Sequence, residues 1–144
     1  MQNSGYTAER AAPHERVVWR VLQELNHRGY QTVELPVDGD RPDCRMEDGY
    51  VEIKTGLPSL VIKVGSFHTY KHIEKAEGET VWIVWVGTAS LPTDEWRVVT
   101  LKEYEAGIVG GVRQPTGRGS HTPWYLSRAT GNPFTSIFPP RLSV

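Results

Sequence analysis

The segment P-D-C-R-M-E-D-G-Y-V-E-I-K, residues 42–54, contains four charged side chains at alternating strand positions: Asp43, Arg45, Glu52 and Lys54. Two carboxylates held a few ångströms apart repel each other, and both stay ionised only with difficulty unless a cation is present. A divalent ion that prefers oxygen ligands resolves that conflict. A lysine beside such an ion can orient a water molecule or stabilise charge on a phosphate. The alternative is an exposed, salt-bridged hairpin, which is the usual role of such charges.

A β-hairpin would bring these charges onto one face of a sheet. Asp48-Gly49 is a strong two-residue hairpin signal. A turn at these two residues predicts that Arg45 pairs with Glu52 and that Asp43 pairs with Lys54, because directly opposed residues share a face. The other face then carries side chains suited to a core: Cys44, Met46, Val51 and Ile53. The single cysteine is therefore predicted to be a structural thiol.

Hydrophobic periodicity predicts the elements that position the hairpin. Residues 14–28 carry a helical apolar stripe, which Pro13 begins and Gly29 ends. Further strands are predicted at 31–35, 60–64, 81–86 and 96–99, and further helices at 67–76 and 100–107. The run V-W-I-V-W-V at 81–86 is apolar on both faces, which is typical of a central strand.

The two ends of the chain differ from this pattern. The core domain is predicted at residues 1–107. Its first part, residues 1–12, is polar and predicted to be a flexible arm. Residues 108–144 are rich in glycine and proline and are predicted to pack on the core or on a partner subunit. Their large apolar side chains are more than a short arm can bury within itself: Trp124, Tyr125, Phe134, Ile137 and Phe138.

Pro42-Asp43 followed by Glu52-x-Lys54 resembles the P-D-(D/E)-x-K signature of the restriction-endonuclease-like nuclease superfamily. The order of elements is also similar, with a helix, a hairpin that carries the motif, a second helix and a hydrophobic strand. Within the superfamily, residues 13–106 most resemble the archaeal-type Holliday junction resolvases, which are also found in phages. The resemblance implies an α/β fold with a mixed central sheet flanked by helices; here it would carry an irregular C-terminal extension.

The resemblance also implies a function. It predicts a Mg²⁺-dependent endonuclease, with Mn²⁺ as a substitute, that makes paired nicks in branched DNA as a homodimer. Two alternatives remain open: another nuclease of the superfamily, with a restriction, repair or DNA-degrading role, and a non-catalytic DNA-binding protein on the same fold. No apolar segment is long enough for a membrane span and no secretory signal is recognisable, so we expect a cytoplasmic protein, acting in the host cell if phage-encoded.

The distribution of charge suits a nuclease better than the net charge of −1 does. Residues 1–105 carry 12 lysines and arginines against 17 acids, a net charge of −5. Residues 106–144 carry four arginines and no acid, a net charge of +4. An acidic pocket would hold the metal ion, and basic surface around it would attract phosphates.

By resemblance, Asp43 and Glu52 are metal ligands, and Lys54 positions the attacking water or balances charge on the phosphate. The resolvases carry a further metal-site glutamate on the first helix, followed by a DNA-contacting arginine. Glu15-Arg16 matches that pair, whereas Glu24 is predicted to face solvent. The alternative role for Glu15 is to stabilise the helix dipole.

Other polar residues have weaker assignments. Arg16, Arg45 and Lys71 are predicted to contact DNA phosphates. Asp38 and Asp40 stand where the resolvases often carry serine and a basic residue, and they either assist the metal or cap turns. A helical pair of histidines, His68 and His72, has no evident third ligand and is expected to face solvent or DNA.

Overall fold

The computed structural model describes residues 8–36, 41–55, 59–86, 92–110, 123–127 and 131–141. Asp38 and Asp40 lie outside these residues, and so do residues 1–7 of the arm predicted at 1–12. No helix within the described ranges is long and apolar enough to cross a membrane.

A six-stranded mixed sheet forms the centre of the fold. Its strands, in spatial order, are β1 (Thr32–Glu34), β2 (Cys44–Met46), β3 (Gly49–Thr55), β5 (Thr80–Val86), β6 (Arg97–Thr100) and β8 (Asn132–Pro133). β3 and β5 are parallel, and the other neighbouring strands are antiparallel. The remaining strands, β4 (Ser59–Lys63) and β7 (Pro123–Ser127), form a separate antiparallel pair.

The helices are α1 (Ala8–His27), α2 (Val64–Glu77), α3 (Leu101–Gly110) and α4 (Phe134–Ile137), and a short 3₁₀ turn spans Thr93–Glu95. Two apolar clusters lie on opposite faces of the sheet. One contains residues of α1 and α4, and the other contains residues of α2 and α3. β5 supplies both clusters, with Val84 in the first and Ile83 in the second, so the predicted central strand is confirmed.

The hairpin that carries the motif has a different register from the predicted one. Met46 pairs with Gly49, and Arg45 pairs with Tyr50 rather than with Glu52. The predicted pairing was wrong by two residues, and the turn residues are Glu47-Asp48. A shift of two residues leaves every side chain on its predicted face. The predicted core face is confirmed, since its four side chains are all buried: Cys44, Met46, Val51 and Ile53.

Gly49 explains the register. Its φ is not positive, so it does not act as a left-handed turn residue. It pairs instead with Thr80 across the parallel β3–β5 ladder, where a Cβ atom would lie 2.2 Å from the Thr80 carbonyl oxygen. Only glycine allows two backbones to approach so closely. Gly49, which the sequence predicted to be the second residue of the turn, is therefore the first residue of β3.

α1 begins earlier than predicted. It starts at Ala8, so residues 8–12, predicted as part of a flexible arm, are helical. The alanines in this stretch have the highest helix propensity of any residue type, which favours the extension beyond Pro13. The end of α1 agrees with the prediction, because Gly29 follows it with φ of +98°.

The C-terminal segment is built into the domain. β8 pairs with β6, and Phe134 and Phe138 are buried in the same cluster as α1. Arg28 of the chain segment after α1 donates a hydrogen bond to the carbonyl oxygen of Phe138, and the Arg141 backbone N–H donates to the Arg28 carbonyl oxygen. Phe134 and Phe138 are packed on the core of this chain, which is the first of the two alternatives predicted for the segment.

Candidate active site

Asp43 and Glu52 face each other across the hairpin. Asp43 directly precedes β2, and continuing the β2–β3 ladder by one residue places it opposite Glu52. The Ile53 backbone N–H donates a 2.7 Å hydrogen bond to Asp43 Oδ2, which fixes the carboxylate against β3. The corrected register therefore brings the two acids closer than the predicted pairing of Asp43 with Lys54 did.

Glu52 is buried, with only 7% of its surface exposed. Burial raises its pKa, the negative charge of Asp43 raises it further, and Lys54 opposes the change, so that the pKa is about 8. Lys54 Nζ lies 3.3 Å from Glu52 Oε2, whereas Glu52 Oε1 is buried without a hydrogen-bond partner among the described residues. A buried oxygen of this kind is costly unless it binds a cation or a donor.

His14 of α1 is the fourth member of the group. Its Nε2 lies 3.8 Å from Asp43 Oδ1, which is a charge–charge contact and too long for a hydrogen bond. The contact with Asp43 raises the pKa of His14 although partial burial acts against it. His14 was not among the residues predicted to form the site. The available signal was its spacing of three and four residues before Val17 and Val18, which extends the buried stripe by one turn.

Glu15, the predicted ligand from this helix, is not brought to the two acids. It is exposed, and it has no hydrogen-bond or ion-pair partner within the part of the chain that the structure describes. Arg16 is likewise exposed and free of such partners among those residues. The metal role of Glu15 and the DNA contact of Arg16 therefore stay predictions.

The other two predicted DNA contacts are engaged within the chain. Arg45 donates to both carboxylate oxygens of Glu79 and lies 4.6 Å above the ring of Tyr50. Lys71 Nζ forms a 3.1 Å ion pair with Glu105, and both of these side chains are about half exposed. An exposed ion pair contributes at most about 1 kcal/mol to stability, whereas a bidentate arginine–carboxylate contact is stronger. A phosphate would displace Glu105 from Lys71 more readily than Glu79 from Arg45.

Glu24 does not face solvent as predicted. Its carboxylate accepts a 2.7 Å hydrogen bond from Arg28, which is itself buried. Glu24 lies ten residues after His14, which is about 15 Å along the helix axis. Its role is to hold the C-terminal half of α1, and it is too distant to take part in a site at Asp43.

The group at Asp43 and Glu52 fits a hard divalent ion. Among the described residues, no three histidine, cysteine, aspartate or glutamate side chains already converge to hold a metal. Mg²⁺, however, is commonly bound by one or two carboxylates and keeps several water molecules. Two adjacent carboxylates, one of which has an oxygen with no partner among the described residues, meet that requirement. The exposed His68 and His72 of α2 have no third ligand in the described chain.

No family model and no curated protein matches the sequence. A solved structure does match: that of Hjc, a Holliday junction resolvase from the archaeal hyperthermophile Archaeoglobus fulgidus. The match covers 90% of this chain and 98% of Hjc, with a TM-score of 0.61. This chain has the fold of that resolvase. The predicted restriction-endonuclease-like fold is thereby confirmed, while the identity of 13% limits the likeness to the fold.

Proposed function

We propose that this chain is a metal-dependent DNA endonuclease selective for branched DNA, with the four-way junction as its preferred substrate. The observation that carries the proposal is the adjacency of Asp43, Glu52 and Lys54 on one face of the hairpin, with Glu52 Oε1 buried and without a hydrogen-bond partner in the described part of the chain. A protein that only bound DNA would gain nothing from two adjacent carboxylates near a phosphate, because they repel it.

Each residue has a distinct task in this proposal. Asp43 and Glu52 would hold Mg²⁺, with Mn²⁺ as a substitute. The bound ion would supply a Lewis acid that withdraws charge from the phosphate. Lys54 is half-buried and keeps its ammonium beside Glu52, where it can position the attacking water or balance developing charge. Arg16 and Lys71 would contact phosphates farther along the DNA.

The test is a cleavage assay on a four-way junction, a flap and a linear duplex of matched sequence, with and without Mg²⁺. We expect nicking that requires the ion and is at least about tenfold faster on the junction. Equal rates on all three substrates would favour another nuclease of this fold. Binding without cleavage under every metal condition would favour a non-catalytic DNA-binding protein.

Paired nicks also require a dimer, because one domain offers one such site and a junction is two-fold symmetric. Sedimentation should therefore give twice the chain mass of 16.2 kDa. The dimer surface must use apolar side chains other than Phe134 and Phe138; among the described residues the exposed large ones are Trp19 and Val33. A monomer at micromolar concentration that still cuts junctions symmetrically would contradict the dimer.

A further inference from the structure

Among the described side chains of α1, that of His14 contacts the carboxylate pair. Its position in the helix follows the buried stripe, one turn before Val17 and Val18. The side chain is one-third exposed, so it is open to a ligand on one side and supported on the other. Glu15 is rotated by about 100° from this direction and is exposed.

The separation between His14 and Asp43 is the second observation. Asp43 Oδ2 is taken by the Ile53 N–H, which leaves Oδ1 facing His14 Nε2 at 3.8 Å. Zn²⁺ bonds to histidine nitrogen at about 2.0–2.1 Å and to carboxylate oxygen at about 2.0–2.2 Å, and Mg²⁺ bonds to oxygen at about 2.0–2.1 Å. Neighbouring ligand atoms of an octahedral ion at these distances lie about 3 Å apart. The two atoms, at 3.8 Å, are close to that spacing, so a side-chain adjustment of about 1 Å would let one ion bind both.

We propose that His14 Nε2 is a ligand of the metal ion, taking the place on α1 that the family resemblance gives to Glu15. The inference rests on the metal site of the proposed function and changes its chemistry. The site becomes one nitrogen and the carboxylates of Asp43 and Glu52, rather than carboxylates alone. Imidazole favours transition-metal ions, whereas Mg²⁺ prefers oxygen. The ratio of Mn²⁺ to Mg²⁺ affinity should therefore be higher than in an all-carboxylate site.

The direct test is pulsed electron paramagnetic resonance on the Mn²⁺-loaded protein without DNA. A nitrogen bound to Mn²⁺ produces a ¹⁴N modulation of the electron spin echo. The wild-type protein should show it, and His14→Gln should lose it. His68→Gln and His72→Gln are matched controls, because both histidines are exposed on α2, and each variant should keep the modulation. Absence of the modulation in the wild type, or its persistence in His14→Gln, overturns the proposal.

Titration of Mn²⁺ and Mg²⁺ gives a second readout. His14→Gln should weaken Mn²⁺ binding by about tenfold or more and Mg²⁺ binding by less, whereas Glu15→Gln should change either by less than about twofold. The reverse pattern would return the ligand role to Glu15. His14→Glu guards against a folding defect: it should bind Mn²⁺ with no ¹⁴N modulation and should prefer Mg²⁺ more than the wild type does.

These measurements separate the inference from the proposed function. If the modulation depends on His14 but no DNA substrate is cut, the ligand assignment stands and the nuclease proposal fails. If junctions are cut while the modulation survives His14→Gln, the nuclease proposal stands and the ligand assignment fails.

Discussion

At the scale of single residues, the site depends on the groups that decide whether Glu52 is protonated. Burial and Asp43 both favour its neutral form, and Lys54 favours the charged form. With a pKa of about 8, Glu52 without metal retains its proton at neutral pH. A divalent ion would replace that proton, so metal binding should release a proton and tighten as the pH rises.

Asp43→Asn tests the assignment of the carboxylates. The variant removes a charged ligand but keeps an oxygen that can accept from the Ile53 N–H, so the hairpin should stay folded. We expect cleavage to fall by at least about a hundredfold, the size of loss seen when one electrostatic catalytic group is removed. DNA binding should be kept or strengthened, because a repelling charge is gone. Cleavage at the wild-type rate, measured beside binding, would refute the assignment.

The raised pKa of Glu52 predicts a pH-dependent stability. Between about pH 4.5 and 8, the unfolded chain releases this proton while the folded chain keeps it, so the free energy of unfolding should fall as the pH rises, by up to about 1.4 kcal/mol per unit. His14, whose pKa is also raised, acts in the same direction only above its ordinary value of 6.5.

The window from pH 5 to 6 therefore isolates Glu52. Urea unfolding in a chelator should show that Glu52→Gln becomes more stable relative to the wild type as the pH rises through this window. Parallel stability curves for the two proteins would show that Glu52 is not held neutral in the folded state.

At the scale of elements, contacts between near neighbours in the chain follow from the sequence, whereas the register of a hairpin also depends on distant strands. The capping box of α3 is wholly local: Thr100 Oγ1 accepts from the Glu103 N–H, and Glu103 Oε1 accepts from the Thr100 N–H. Both of its residues lie at the start of the helix, which follows the prediction at 100–107. The register of the motif hairpin instead depends on β5, a strand that follows about thirty residues later.

Gly49→Ala tests that dependence. The added Cβ would lie 2.2 Å from the Thr80 carbonyl oxygen, a backbone atom that cannot rotate away. We expect a loss of about 3 kcal/mol or more, at the upper end for overpacking. Gly78→Ala is the control, because Gly78 has φ of +68° with open space around it, so only the backbone cost of about 1–2 kcal/mol applies. Equal losses in urea unfolding would show that the Thr80 contact is not what requires glycine.

At the scale of the whole molecule, the C-terminal segment completes one of the two cores. Phe138 lies against the rings of Tyr30, Trp82 and Phe134, at centroid distances of 5.4–5.6 Å. Arg28 binds the same segment through its guanidinium and is held in turn by Glu24. Removing the segment would therefore open the core under α1, the helix that presents His14.

Phe138→Ala should destabilise the protein by about 3–5 kcal/mol, because it removes a fully buried ring. Ser136, in the adjacent helix α4, is exposed, so Ser136→Ala should change stability by less than about 0.5 kcal/mol. Thermal or urea unfolding measures both. If the two variants were equally stable, the segment would have no part in the core, and a role on a partner subunit would again be open.

The sequence by itself determined which side chains share a face, since the period of a strand is two and the period of a helix is 3.6 whatever surrounds them. The grouping of Asp43, Glu52 and Lys54 away from Cys44 and Val51 was therefore predictable, as was the central position of β5. The resolvase fold was predictable from the motif and the order of the elements.

Only the tertiary structure decided which atoms meet. The register placing Asp43 opposite Glu52 depends on the distant Thr80 backbone, and the burial of Phe138 depends on Arg28 and Tyr30 more than one hundred residues earlier. The helical phase of His14 was readable from the sequence, but its chemistry was not. A histidine at the start of an apolar stripe becomes part of a site only when another segment places a carboxylate beside it, and Asp43, directly before β2, does so at 3.8 Å.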